Sequence, residues 1–434
     1  MFGAARITGI IIISCVVMAC LVIVFYTVPL GHVSYENKDL LNEGKSAAPS
    51  TSSVLSQTQS VDGVGTDESQ VFVATHVVTP EYVRGVYFTS WAAGTPSFRA
   101  HMFDILKGTT LNTVVIDVKD YSGRISFPVE YPSLVKYGAS ENRITDIKEL
   151  IAKLHDMHIY VIARIAVFQD PFMVKTHPEW AVRDSRTGQP WKDSGGALWL
   201  DPDNKEVWKY AADIGLQSYD LGFDEINFDY IRFPSDGSIS SAIYSKSAST
   251  TKASVMRNFF SYLHDQFYLE GIPISADLFG QATVDRGDVG IGQVLENAMP
   301  YFDAIAPMVY PSHFAHGFIG YQKPAMFPYQ VVKYSMDEAV KRAKAASTSP
   351  LIMRPWLQAF DLGAIYTPEM VKIQIKATQD AGLNSWLLWN AGSVYKREAV
   401  LTLPEKTRVS EVGSSASKSS TAIANIEASS TVVR

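Results

Sequence analysis

The stretch with the densest chemistry is residues 223–234, Phe-Asp-Glu-Ile-Asn-Phe-Asp-Tyr-Ile-Arg-Phe-Pro. Its β-branched and aromatic content predicts a buried strand stopped by Pro234. Side chains alternate along a strand, so Glu225, Asn227 and Asp229 share one face. An unpaired carboxylate inside a core is costly, so acids here need a purpose. Two carboxylates facing each other across a cleft can cleave a glycosidic bond: one protonates the leaving oxygen, and the other attacks or activates water. This stretch alone carries three acids, Asp224, Glu225 and Asp229.

A strand of this kind needs neighbours. Between residues 80 and 405, eight apolar runs recur: Val83–Trp91, Leu111–Lys119, His158–Phe168, Phe223–Phe233, Pro273–Phe279, Phe302–Tyr310, Leu351–Gln358 and Leu383–Asn390. Candidate helices lie between them at Ile144–Met157, Lys205–Leu221, Ser254–Leu269, Met336–Ala346 and Pro368–Ala381. Gly222 and Gly382 sit where helix C-caps belong. This alternation predicts an α/β fold, a (β/α)8 TIM barrel. A doubly wound open sheet is the rival, but no Gly-x-Gly-x-x-Gly follows the first strand.

In a barrel the active face lies at the strand C-termini. Polar and aromatic residues gather there in all eight runs. The binding candidates are Trp91, Lys119, Asp120, Arg164, Tyr230, Arg232, Tyr310, His313, Arg354, Trp356, Gln358, Trp389 and Asn390, with Asp170 nearby. Aromatic rings stack on sugar faces, and Arg, Asn and Gln bond hydroxyls. Asp117, two residues from Lys119, also reads as an ion-pair partner. Glu225 reads as a partner of Arg164 or Arg232.

Other chemistries find less support. His313 and His316 form the only close histidine pair near the rim, and no metal site or cofactor is expected. There is no Gly-x-Ser-x-Gly elbow. The only cysteines, Cys15 and Cys20, lie in the N-terminal apolar run. The formal charge of −6 gives no support for nucleic-acid binding.

That apolar run, residues 7–30, carries no charged side chain and is long enough to cross a bilayer. Arg6 precedes it, while Glu36 and Asp39 follow, so the N-terminus is expected in the cytoplasm and the barrel outside. A cleaved leader, a lipoprotein signal at Cys20 and a buried helix are the alternatives to a signal anchor. Residues 31–79 read as a flexible Ser/Thr/Ala-rich linker and residues 406–434 as a disordered tail. The expected partners are a polysaccharide or oligosaccharide and a lipid bilayer.

Four motifs carry a resemblance. Phe-Asp-Glu-Ile-Asn-Phe-Asp-Tyr-Ile-Arg-Phe-Pro, Pro-Met-Val-Tyr-Pro-Ser-His-Phe, Arg-Pro-Trp-Leu-Gln-Ala-Phe and Trp-Leu-Leu-Trp-Asn-Ala together resemble a bacterial family of predicted glycoside hydrolases. That family was first recorded as a domain of unknown function and is similar to TIM-barrel glycosidases of the α-amylase kind. The resemblance spans about residues 82–400. It implies a nucleophile at the end of the fourth strand, where Asp229 stands. It implies a Glu acid/base at the end of the fifth, where this chain has Asp277, so the catalytic candidates are Asp229 and Asp277, with Asp117 and Glu225 in reserve. A glycan-binding barrel without turnover and a metal-dependent polysaccharide deacetylase or phosphoesterase are the competing functions.

Overall fold

The computed structural model describes residues 72–245 and 250–401. The expected membrane segment at 7–30, most of the linker and the tail lie outside these residues. Among the described residues, no helix is long and apolar enough to cross a membrane.

Eight parallel strands close into a barrel: β1 (Arg84–Phe88), β2 (Thr113–Lys119), β3 (Tyr160–Ala166), β4 (Glu225–Asp229), β5 (Ile274–Phe279), β6 (Ala304–Val309), β7 (Trp356–Gln358) and β8 (Trp386–Trp389). Each pairs with its sequence neighbour, and β1 closes the ring on β8 with Gly85 opposite Leu387. Every expected run contains one of these strands. Stretches such as Tyr-Val-Ile-Ala-Arg-Ile-Ala in β3 are buried along their whole length, as a sheet covered on both faces requires.

Burial divides the core in two. Tyr87, Val115, Ile162, Ala306, Trp356 and Leu387 point into the barrel. A much larger shell, including Val114, Ile116, Val161, Ile226 and Leu388, packs between strands and helices. The helices α1 (Pro96–Leu106), α2 (Ile147–Asp156), α3 (Lys205–Asp220), α4 (Lys252–Phe267), α5 (Pro328–Ala345) and α6 (Pro368–Asp380) form the outer layer. Asn204, Thr251 and Thr367 cap α3, α4 and α6 by accepting from backbone N–H groups of the first turn. Gly222 and Gly382 take φ of 108° and 84° just after α3 and α6, the left-handed turn that favours glycine. Helix α1 is absent from the sequence expectation, because its apolar residues do not form a clear stripe.

Three further differences concern the site and its support. Strand β4 is shorter than its apolar run: it stops at Asp229 because Tyr230 takes a φ of 53°. Arg232 therefore lies in a loop. A small antiparallel ribbon joins Arg183–Asp184 to Ala242–Ile243 in the segments that follow β3 and β4.

Residues 75–79, expected as the end of a flexible linker, are instead fixed on the base of the barrel. Asp224 at the start of β4 has a fully buried side chain. It accepts from Val77 N and Val161 N, each at 2.7 Å, and bonds His155 Nε2 at 3.0 Å. His76 stacks on Tyr219 at 3.8 Å, and Thr79 shares a hydrogen bond with Tyr160. The backbone needs partners that only Asp224 supplies, and this overrides the polar, turn-rich composition. Asp224→Ala should therefore lower stability by about 2–3 kcal/mol, because the buried Val161 N–H and the half-buried Val77 N–H lose their acceptor. Urea unfolding of the variant and parent checks this.

Candidate active site

Strand register builds the site. Asp117 on β2 is level with Arg164 on β3, and Arg164 is level with Asn227 on β4. On the next pair, Asn227 faces Ser275 and Phe228 faces Ala276. One step further along puts Asp229 beside Asp277, both on the inward face and both near the C-terminal ends of their strands.

The Arg164 guanidinium joins these acids. Its Nη1 donates to Asp117 Oδ1 and its Nη2 to Asp229 Oδ2, while its Nε lies 3.7 Å from Asp277 Oδ2. Each carboxylate has further donors. The Tyr87 hydroxyl bonds Asp117 Oδ2, and Tyr230 N bonds Asp229 Oδ1. Asp277 Oδ1 accepts from Asn227 Nδ2 at 2.9 Å and Trp356 Nε1 at 2.8 Å. Tyr87 stacks on Trp389 with centroids 3.9 Å apart, and the guanidinium lies 4.8 Å from the Trp389 ring. Asp229 is 5% exposed and Asp277 1%.

One buried cation faces three buried acids. It cannot balance three negative charges, and an uncompensated buried charge is relieved by taking up a proton. Asp277 is the acid best placed to do so. Burial first, then the neighbouring charge of Asp229, pushes its pKa well above the usual carboxylate range. Asp117 is raised to about 6 by burial, with Arg164 opposing the shift. Among the described residues, no group of three or more His, Cys, Asp or Glu could hold a metal ion.

The remaining candidates fall into separate places. Glu225 pairs with Arg354 at 2.8 Å, not with Arg164 or Arg232. It is level with Ile162, two residues below Arg164, so it forms the floor of the barrel with Tyr160 and Ser275. Arg354 is buried there too and does not reach the rim. Lys119 is not the partner of Asp117. An irregularity in β2 between Asp117 and Lys119 brings Lys119 level with Ile165 on the outer face, where it pairs with buried Asp170 at 2.9 Å.

Asp120 is held by Arg143 at 2.7 Å. Arg232 is buried between the Trp199 and Phe279 rings, each 4.7 Å away, and donates to the carbonyl of Phe233. Gln358 bonds Ser312 N, Phe360 O and Gln374, and Asn390 bonds Ala359 O and Gly392 N, so both tie loops together. Trp356 is fully buried beneath Trp389. Tyr310 is buried beside Phe360, whereas His313 is exposed. Tyr230 and Trp389 are half-buried. Trp91 is 57% exposed, with the Arg143 guanidinium 4.7 Å from its ring.

Three residues of the network were not singled out from sequence: Tyr87, Ser275 and Arg143. Tyr87 and Ser275 carry a legible signal, an inward position on a strand whose later inward positions are polar. Arg143 lies in a loop, and no sequence period places it under Trp91.

The titration of Asp117 has a stability consequence. A carboxyl raised from 3.8 to about 6 in the folded state contributes stability that is full below pH 4 and is lost as pH rises toward 6. The loss is about 3 kcal/mol, at 1.4 kcal/mol for each pH unit. Asp117→Asn should flatten that part of the stability–pH curve, as urea unfolding at pH 4, 5, 6 and 7 would show.

Comparison with solved structures and sequences supplies the family. A hypothetical protein from Ruminiclostridium thermocellum is 33% identical over 44% of this chain and 96% of its own, with a TM-score of 0.41. The glycoside hydrolase domain of PgaB (BpsB) from Bordetella bronchiseptica is 14% identical, covers 74% of this chain and 99% of its own, and has a TM-score of 0.53. A chitobiase from Flavobacterium johnsoniae is 13% identical over 77% of this chain and 50% of its own, with a TM-score of 0.48. The likeness to the PgaB domain shows a shared barrel fold. No curated protein matches the chain. Residues 85–395, which hold nearly the whole barrel, match the family described as "Putative glycosyl hydrolase domain", and the chain belongs to that family.

Proposed function

We propose that the barrel hydrolyses a glycosidic bond of a polysaccharide, with Asp229 as nucleophile and Asp277 as acid/base. The observation that carries this reading is the sharing of Arg164 among three buried acids. It favours a charged carboxylate and a protonated carboxyl side by side, the two forms that the reaction needs at its start. Asp229 Oδ2 attacks the anomeric carbon while Asp277 gives its proton to the departing oxygen. The glycosyl–Asp229 ester is then cleaved by water, whose proton returns to Asp277.

Neighbouring strands lie about 4.8 Å apart. Acids at matching positions on them fall near the separation of about 5–5.5 Å that goes with retention of configuration. Asp277 has a shorter side chain than the Glu at this position in α-amylase-like barrels. Trp389, Tyr230, Tyr310, His313 and Trp91 are the binding candidates for the sugar. Arg354, Gln358, Lys119, Asp120, Asn390, Arg232 and Trp356 serve instead as support, since their polar atoms are engaged within the protein.

Residues 7–30 would anchor the chain in the membrane with the barrel outside. The support for this lies in the sequence: an uncharged apolar run, a basic residue before it and acidic residues after it. Carbonate-washed membranes should retain the protein, and protease added to intact cells should remove the barrel. Recovery in the wash, or protection of the barrel, would contradict the topology.

The activity test uses the full chain with Asp229→Asn and Asp277→Asn. Each is incubated with bacterial surface polysaccharides and with α- and β-linked glucans, galactans and hexosaminans, and released reducing ends are measured. Release by the parent should fall by at least about 100-fold in both variants. Binding without release in all three proteins would show a glycan-binding barrel instead.

A further inference from the structure

Asp277 presents two unlike oxygens. Oδ1 accepts two N–H groups, from Asn227 and Trp356. Oδ2 lies 3.7 Å from Arg164 Nε, a buried donor with no hydrogen-bond partner. A protonated carboxyl carries its hydrogen on one oxygen. An O–H at Oδ1 would point at two N–H donors, so a proton is accommodated only at Oδ2.

This asymmetry depends on which way the Asn227 amide faces, and the floor of the barrel decides that. Arg354 donates to both oxygens of Glu225, holding it as an acceptor. The Ser275 hydroxyl donates to Glu225 Oε1 at 2.6 Å. With its only hydrogen spent there, Ser275 Oγ has lone pairs alone to offer Asn227. Asn227 must answer with its NH2 group, which it does at 3.0 Å, and the same nitrogen reaches Asp277 Oδ1. The opposite end of the amide, Asn227 Oδ1, is buried without a partner. A free Asn could relieve that cost by turning over, so its orientation is being imposed.

We propose that the Arg354–Glu225 ion pair on the barrel floor, acting through Ser275 and Asn227, sets which oxygen of Asp277 carries the catalytic proton. Asn227 and Ser275 are then positioning residues: Ser275 touches neither substrate nor Asp277, yet it governs the acid. The role in catalysis rests on the glycosidase reading, whereas the hydrogen-bond chain does not.

Each donor to Oδ1 stabilises the charged form of Asp277, so losing one moves its titration to higher pH. The other groups around it stay in place: Arg164 from β3, Asp229 from β4, Tyr310 just beyond β6 and Trp356 from β7. Ser275→Ala removes the hydroxyl that orients Asn227 and frees the amide to turn its oxygen toward a protonated Asp277.

The test is the 13C titration of Asp277 in the full chain labelled with 13C-aspartate, the signal being assigned by its loss in Asp277→Asn. Parent, Asn227→Ala and Ser275→Ala are compared, with circular dichroism to confirm folding. The expected result is a shift of the Asp277 titration to higher pH in both variants. On any glycan that the parent cleaves, kcat should fall about 10- to 100-fold with KM little changed. An unmoved titration in Ser275→Ala overturns the proposal, even if Asn227→Ala shifts it, since the orienting chain would then be absent. If the parent cleaves no glycan, the glycosidase reading fails alone and the titration still decides the chain.

Discussion

The sharing of one guanidinium by three buried carboxylates is the constraint around which this barrel is arranged. Arg164 meets Asp117 and Asp229 through its two terminal nitrogens and approaches Asp277 with the third. A lysine could not span these positions, because its single nitrogen has no fork. The barrel supplies the rest: parallel register sets Asp117, Arg164, Asp229 and Asp277 on successive strands, all facing inward. The rings of Tyr87 and Trp389 shield the cation, which keeps the surroundings poor in water and the electrostatic competition strong.

Charge in the interior is compensated by place. On the floor, Glu225 and Arg354 form a one-to-one pair. Outside the ring, Lys119 and Asp170 form another. At the mouth three buried acids share one cation. Folding could have used a second arginine there, or fewer acids, at lower cost. Excess buried acid at the strand C-termini is instead what the proposed proton donation by Asp277 requires. The floor pair takes part as well, because Ser275 and Asn227 link it to Asp277.

Much of the fold was legible in sequence. Long β-branched runs such as those of β2 and β3 announce buried strands, and the spacing between runs leaves room for helices. The positions of Asp229 and Asp277 at run ends place them near one rim. The partnerships were not legible. Glu225 reads as a partner of Arg164 or Arg232, and its actual partner is Arg354, 129 residues on and outside any strand. Lys119 appeared beside Asp117 because an irregularity in the strand leaves no mark in the chain. Tyr87 reads as core until its hydroxyl is seen on Asp117. Residues 75–79 have the composition of a linker, and their order comes from Asp224, about 150 residues away in the chain.

The most direct measurement is of the proton itself. Infrared difference spectroscopy at pH 7 between the parent and Asp277→Asn reports the C=O stretch of a protonated carboxyl. The account predicts one such band in the parent, lost in Asp277→Asn and retained in Asp117→Asn. A parent with no protonated carboxyl at pH 7, or a band that survives in Asp277→Asn, would contradict it.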